Sequence, residues 1–236
     1  MSDVSEEHQV WSAVPNHAQS DLTADSLVGQ SGDLGYADPR HPSLGFRGIC
    51  RDAPLACGID EAPAPAYNLL RLACGAPDDS IDVPMGEAFP LEHNLESLGG
   101  VSFRKGCYLG QELTARTFHT GKTRKRILPV LREDDLAVVS QEDLEGEFGE
   151  TLRHLVGVPA TAALLPRLRP ASVLGAPGSE VRDPSQKRAV GKLRSSQYNL
   201  GLAHLRLGPA MAPTARLDVE GGLIKPVPPP WIPTED

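Results

Sequence analysis

The sequence predicts an α+β fold in which a mixed module over residues 1–122 is followed by a small, barrel-like β domain over residues 123–236. Two observations support this division. Before residue 123, short apolar runs bounded by Gly and Pro alternate with stretches of helical spacing. From Thr123 onward, short apolar segments are separated by Pro- and Gly-rich turns, a pattern typical of a small barrel.

The opening part of the chain predicts short strands of one sheet. The segments 8–18 and 34–50 each hold short apolar runs interrupted by Pro or Gly. Residues 51–65 are rich in Ala, Pro and Gly, which indicates a loop. We therefore expect strands before residue 51 and a connection after it.

Helical spacing appears after that loop. Leu69, Leu70 and Ala73 lie at the separations that place side chains on one helix face, and Gly75 and Pro77 follow as stop signals. This pattern predicts a short amphipathic helix.

A second helix is predicted after a turn-rich stretch. Leucines within residues 91–98 predict a short helical piece, a Gly-Gly pair ends it, and residues 101–103 predict a strand. Leu113 and Phe118 then predict a helix closed by Gly121. The residues just before this helix would lie at its N-terminus.

The β domain is predicted from four apolar segments, a proline-rich loop and an extended tail. Five prolines within residues 159–184 indicate a surface loop or insertion, and the proline-rich end of the chain is expected to be extended. The strand-like segments are 123–133, 136–140, 189–196 and 199–207.

Composition excludes several classes of protein. A formal net charge of -8 and 5% aromatic residues argue against a dedicated nucleic-acid binder. No apolar run approaches the roughly 20 residues that a membrane-spanning helix needs. The first 39 residues contain no Lys or Arg, so an Arg-rich organelle presequence is not expected within them.

The four cysteines do not follow the spacing of a zinc site or of a disulfide framework. Cys50, Cys57, Cys74 and Cys107 form no C-x-x-C pair. We therefore expect a reducing compartment, and for the first three cysteines a buried, structural position.

The segment KGCYLGQE at residues 105–112 is the strongest chemical signal. Cys107 would lie at a helix N-terminus beside Arg104 and Lys105, a setting that favours the thiolate and so a reactive or metal-binding thiol. A buried, unreactive cysteine is an equally common outcome for this residue type. His119 is too far along the helix to activate the thiol directly. A histidine partner for Cys107 would have to be His41 or His93, brought close by the fold.

A basic run surrounds this segment. Its cations face only Glu112 within residues 104–126, which suits an anionic ligand, an acidic partner or RNA, although solvated charge is the commonest alternative. The cations are Arg104, Lys105, Arg116, Lys122, Arg124, Lys125 and Arg126.

Glu92 is a second candidate site residue. Its carboxylate lies between apolar residues just before the motif, where it could accept paired N–H donors from a heterocycle. An exposed carboxylate at a helix start is the alternative.

Residues 90–117 resemble the signature of the folate-binding YgfZ/GcvT-like family, and most closely its mitochondrial branch of iron-sulfur cluster assembly factors. The segments 37–47, 191–206 and the Trp-containing tail also resemble family segments. The motif K-G-C-Y-x-G-Q-E is complete at Lys105, Gly106, Cys107, Tyr108, Gly110, Gln111 and Glu112.

The resemblance implies a GcvT-like folate-binding module, partly present here, followed by a C-terminal barrel. It implies a protein of the mitochondrial matrix, without enzymatic turnover of its own, that helps to mature 4Fe-4S proteins together with A-type scaffold proteins. Tetrahydrofolate is the implied cofactor, with Glu92 as its pterin contact, and Cys107 is the implied shared ligand of a transient iron-sulfur cluster.

Two alternative functions also fit the sequence. A tetrahydrofolate-dependent aminomethyl transferase would share the fold, and an RNA-binding protein could use the basic run over residues 104–126.

The chain differs from the family pattern at its N-terminus. By the resemblance, family members carry further folate-module strands before the point where this chain starts. The sequence is thus expected to be N-terminally shortened, with part of the folate pocket missing.

Overall fold

The computed structural model describes residues 9–14, 34–50, 62–132, 139–155, 158–170, 174–185 and 188–234. These residues form two antiparallel sheets and the helices that connect them. In the described segments, no helix has the length and apolar character needed to cross a membrane.

The smaller sheet contains the strands predicted in the opening part of the chain. Its central strand is β3, and the order is β1-β3-β2. Trp11 lies opposite Gly48, and Tyr36 lies opposite Arg47. The loop predicted at 51–65, with Cys57, falls mostly outside the described residues. The strands are β1 (Gln9–Ala13), β2 (Leu34–Ala37) and β3 (Phe46–Cys50).

The first helix ends where its stop signals predict. Helix α1 (Ala64–Ala73) is followed by Gly75, whose φ of 65° is left-handed. The Gly75 amide donates to the Leu72 carbonyl (3.0 Å) and the Ala76 amide donates to the Arg71 carbonyl (2.9 Å), so two terminal carbonyls are satisfied.

Residues 101–103 do not form the predicted strand. The Val101 amide donates to the Leu95 carbonyl (3.2 Å), which closes the preceding turn, and Phe103 stacks against Phe118 with ring centroids 4.0 Å apart. The Val101 amide thus bonds within the preceding turn and not to a neighbouring strand. The predicted helical piece before it is a single 3-10 turn (Leu91–His93), and α2 (Gln111–Thr120) follows as predicted.

The larger sheet is a nearly closed six-stranded barrel with the order β5-β6-β7-β4-β9-β8. An isolated bridge between Arg182 and Asp218 links its two edges. The strands are β4 (Lys125–Arg132), β5 (Glu180–Val181), β6 (Gly191–Gln197), β7 (Leu200–Arg206), β8 (Leu217–Val219) and β9 (Gly222–Pro226). The other helices are α3 (Gln141–Glu145), α4 (Glu147–Leu155) and α5 (Leu207–Met211).

Two hydrophobic cores share the strands of the barrel. In β4, Leu128 and Val130 face the barrel interior, while Ile127 and Leu131 face outward and pack with α1 and α4. This alternation follows from the two-residue period of a strand. The first part of the chain therefore packs against the outer face of the barrel.

The proline-rich segment 159–184 does not lie wholly on the surface, in contrast to the sequence prediction. Leu164 and Leu168 are buried in the core beside α1 and α4, and Leu174 and Val181 are buried in the barrel. Prolines had indicated a loop because they rarely occur inside strands, but the apolar residues between them supply core contacts.

A buried network of charges connects α1 to the barrel. The Arg71 guanidinium donates to Asp82 Oδ2 (2.7 Å) and to Ser195 Oγ (3.3 Å). The Asp82 Oδ1 atom accepts from both the amide (3.1 Å) and the hydroxyl (2.6 Å) of Ser195 on β6. Every charge in this network is compensated, as burial requires.

Asp82→Asn is expected to lower the free energy of unfolding by about 3 to 5 kcal/mol, because it leaves the buried Arg71 guanidinium without its counter-charge. Urea unfolding followed by circular dichroism measures this change. Glu112→Gln is the control, since its pair with Arg116 is exposed and should contribute less than about 0.5 kcal/mol. Equal effects of the two substitutions would contradict the role of the network.

Candidate functional site

The motif at residues 105–112 forms the entry to α2. Gly110 precedes the helix with a left-handed φ of 83°, a conformation that glycine adopts without a Cβ clash. The Gln111 side chain accepts a hydrogen bond from the Tyr108 amide (3.2 Å), and the Gln111 amide donates to the Tyr108 carbonyl (3.2 Å). Cys107 therefore precedes the helix start, as predicted.

Aromatic contacts anchor the loop to its helix. Phe103 stacks on Phe118 and lies edge-on to His119, at centroid distances of 4.0 Å and 5.8 Å. The Lys105 ammonium lies 4.9 Å from the centroid of the Tyr108 ring, in a cation–π arrangement. These contacts hold the loop against α2. Of the residues of α2, only Thr114 is buried.

The Cys107 thiol is exposed, so the buried alternative weighed for this residue is wrong. Gly106 beside it has an ordinary backbone conformation, and a Cβ added there would meet nothing within 4 Å. Leu109 is fully exposed. The folded chain thus displays the thiol and its neighbours to solvent.

The other described cysteines are buried, as predicted. Cys50 and Cys74 lie in the interior, and burial raises the pKa of the Cys74 thiol to about 12. The Sγ atom of Cys74 lies 3.9 Å from His41 Nδ1, and Trp231 Nε1 donates to the Cys74 carbonyl (3.2 Å). This thiol is inert at neutral pH, whereas Cys107 is accessible.

Among the described residues, no histidine forms a contact with Cys107. The ring of His41 stacks on Trp231 and faces Cys74, and His93 Nδ1 lies 3.0 Å from the Phe89 carbonyl oxygen. Across the described segments, no group of three or more His, Cys, Asp or Glu side chains is arranged to hold a metal ion. The described residues therefore do not supply the further ligands that an iron-sulfur cluster on Cys107 would need.

The cations near the motif divide into exposed and buried groups. Arg104, Lys105, Lys122, Arg124 and Lys125 are exposed on or beside the motif loop and α2. Arg116 is also exposed and lies 3.8 Å from Glu112. Together they give this side of the molecule a positive surface.

Arg126 differs from the others because it is buried. Its guanidinium pairs with Glu96 and donates to the Leu91 carbonyl (2.9 Å) and to Asn94 Oδ1 (3.2 Å). The residue therefore holds the 3-10 turn that carries Glu92 against β4, and it is not part of the positive surface that the sequence predicted. Its charge is buried because partners from that turn surround it.

Glu92 lies between two clefts, of about 270 Å³ and about 590 Å³, and lines both. Its Oε2 atom is 2.9 Å from His204 Nε2 on β7. Burial acts to raise the pKa of Glu92, but the hydrogen bond from His204 and the charges of His204 and Lys125 outweigh it, so the net pKa is lowered. The carboxylate is therefore ionised and able to accept N–H donors.

The position of two histidines beside Glu92 was not predicted from the sequence, which had offered His93 only as a possible neighbour of Cys107. The rings of His93 and His204 have centroids 5.2 Å apart, and burial lowers the pKa of His93. His93 adjoins Glu92 in sequence, whereas His204 reaches it across the barrel surface. The two-residue spacing of His204 and Arg206 in a strand pattern was the available signal.

Comparison with known proteins gives matches over both parts of the chain. Residues 124–234 match the family model described as CAF17, C-terminal beta-barrel domain, in agreement with the barrel described above. The iron-sulfur cluster assembly factor IBA57, mitochondrial, of Mus musculus is 34% identical over 235 residues, which are 98% of this chain and 56% of the mouse protein.

Two further relatives carry similar names. The IBA57 homolog, mitochondrial, of Mycosarcoma maydis is 34% identical over 213 residues, 88% of this chain and 48% of that protein. The Homo sapiens IBA57, mitochondrial, is 36% identical over 203 residues, 84% of this chain and 47% of that protein. The chain spans about half the length of the curated relatives it matches.

Proposed function

The chain belongs to the family of IBA57-type iron-sulfur cluster assembly factors, and from this premise we propose that it helps to mature 4Fe-4S proteins in the mitochondrial matrix. The relatives are named as mitochondrial assembly factors. The observation that carries the proposal is the exposed Cys107 thiol on a loop that the core does not need.

Cys107 acts in this proposal as one ligand of a transient cluster that is shared with a partner. A thiolate is a ligand for iron, and the cations Arg104 and Lys105 precede Cys107 in the same exposed loop. Cys107 is exposed, and Gly106 leaves open space next to it. A partner's cysteines can therefore complete the ligand set at this position.

A-type scaffold proteins are the proposed partners, and recipient 4Fe-4S enzymes are the proposed targets. The exposed cations around α2 favour a partner with an acidic surface. Leu109, Leu113 and Phe118 are exposed apolar side chains on the same loop and helix, and they would supply apolar contacts at such an interface.

Cys107→Ser is the variant that tests the thiol in this proposal. Cells depleted of their own family member receive the unaltered chain or the variant behind a mitochondrial presequence, and aconitase activity and protein lipoylation are measured. We expect the unaltered chain to restore both readouts and the serine variant to restore neither. Because Cys107 is exposed, the two proteins should have the same thermal stability and abundance.

Restoration by the serine variant would overturn the role of the thiol. A full-length relative serves as the positive control for the cells. If that relative restores activity and this chain does not, the proposed function is wrong for this chain.

We further propose that Glu92 accepts N–H donors of the pterin of tetrahydrofolate, and the residues around it fit such a group. The carboxylate is held by His204, and the half-exposed ring of Phe89 lines the same two clefts. An ionised carboxylate beside an aromatic face suits a planar heterocycle with paired donors. When bound, tetrahydrofolate would supply a one-carbon carrier to this site.

Glu92→Gln is expected to weaken tetrahydrofolate binding by about tenfold or more, since it removes the charge from an acceptor of charge-assisted hydrogen bonds. Isothermal titration calorimetry measures the change. Glu87→Gln is the matched control, because Glu87 lines the larger cleft but forms no ion pair among the described residues. Equal affinities of the two variants for tetrahydrofolate would reject Glu92 as the contact. In a separate activity assay, turnover of an aminomethyl donor would instead identify the chain as a transferase.

A further inference from the structure

The outer face of the barrel changes from apolar to cationic along its strands. Leu131 of β4 and Leu202 of β7 face outward and are buried in the core beside α1 and α4. Toward the other end of the same strands, Lys125 of β4 and Arg206 of β7 line the larger cleft. The apolar end contributes to folding through this core, whereas Lys125 and Arg206 at the cationic end belong to neither core.

The strand register places two positive side chains, Lys125 of β4 and Arg206 of β7, directly opposite one another. Lys192 of β6 lies opposite His204 on β7 and opposite Glu180 on β5. Like charges at directly opposed positions destabilise a sheet. The sequence therefore maintains an unfavourable arrangement at this place, which an anion would relieve.

The cleft contains more cations than carboxylates. Its carboxylates are Glu87, Glu92 and Glu180, and two of them are engaged, Glu92 by His204 and Glu180 by Arg182. Three carboxylates against five cations leave the cleft with an excess of positive charge. Those cations are Lys125, Arg188, Lys192, Arg194 and Arg206.

Two arginines of the cleft differ in how their nitrogens are satisfied. Arg206 donates from one Nη to the backbone carbonyls of Ala189 (2.7 Å) and Arg188 (3.3 Å), so its guanidinium is held in place. The Nε atom of Arg194 is buried without a hydrogen-bond partner within the described structure. A buried donor without an acceptor indicates that a further acceptor belongs there.

We propose that this cationic face of β4, β6 and β7 binds a small oligoanion carrying two or more phosphate or carboxylate groups. The cleft of about 590 Å³ has room for a ligand of that size. Arginine and lysine on adjacent strands present donors to several anionic oxygens at once. The source of the ligand is either a free oligoanion or the carboxylate tail of a larger molecule whose ring lies at Glu92.

The test uses inorganic pyrophosphate and tri-γ-glutamate as separate probes in calorimetric titrations at about 150 mM ionic strength, where the screening length is about 8 Å. We expect saturable binding of at least one probe. The double variant Lys125→Gln/Lys192→Gln should weaken that binding by about tenfold or more. Both lysines are exposed, so the variant should fold normally.

Lys225→Gln is the matched control, because Lys225 is an exposed strand lysine of the same barrel that lies outside the cleft. Binding of pyrophosphate alone identifies a phosphate ligand, and preferred binding of tri-γ-glutamate identifies a carboxylate tail. Absence of saturable binding by both probes, or equal affinity of the double variant and the control, would overturn the proposal.

Glu92→Gln separates this proposal from that of folate binding. The change removes the acceptor for the heterocycle but none of the five cations, so it should leave affinity for the oligoanion probes at least as high as in the unaltered chain. Loss of probe binding in Glu92→Gln would contradict an independent cationic site. Failure of tetrahydrofolate binding alone would leave the oligoanion site supported.

Discussion

The buried contact between Arg71 and Asp82 is the constraint on which the rest of the structure depends. It links α1 to the turn that carries Asp82, and Asp82 in turn holds the backbone and hydroxyl of Ser195 on β6. A buried carboxylate needs all of these partners, so the position of β6 relative to α1 has little freedom. The cationic cleft depends on that arrangement, because Lys192 and Arg194 of β6 line it.

A second buried cation performs a related task for the site. Arg126 holds the turn that carries Glu92 and His93 against β4. By contrast, the motif loop with Cys107 is held by local aromatic and glycine contacts, and its thiol contributes nothing to either core. The barrel and its buried ion pairs thus form a rigid framework, and the exposed residues of the motif loop are available to contact partners.

Local signals in the sequence were sufficient for helices α1 and α2 and for the setting of Cys107. The start of α2 and the end of α1 depend on glycines and on spacing within a few residues, and these were predicted correctly. The burial of Arg126 and Asp82 could not be predicted in this way, because their partners come from distant segments. The cleft likewise depends on strand register, which pairs Lys192 with His204 only in the folded barrel.

The most direct test of the account is the Gly106→Ala variant, measured for both stability and cluster delivery. The added methyl group meets no atom within 4 Å, and the backbone there needs no glycine. The account predicts a free energy of unfolding within about 0.5 kcal/mol of the unaltered chain. The variant is also expected not to restore 4Fe-4S enzyme activity in depleted cells, because the added methyl group would occupy the open space beside Cys107 where the partner is proposed to bind. Full restoration of activity, or a marked loss of stability, would contradict it.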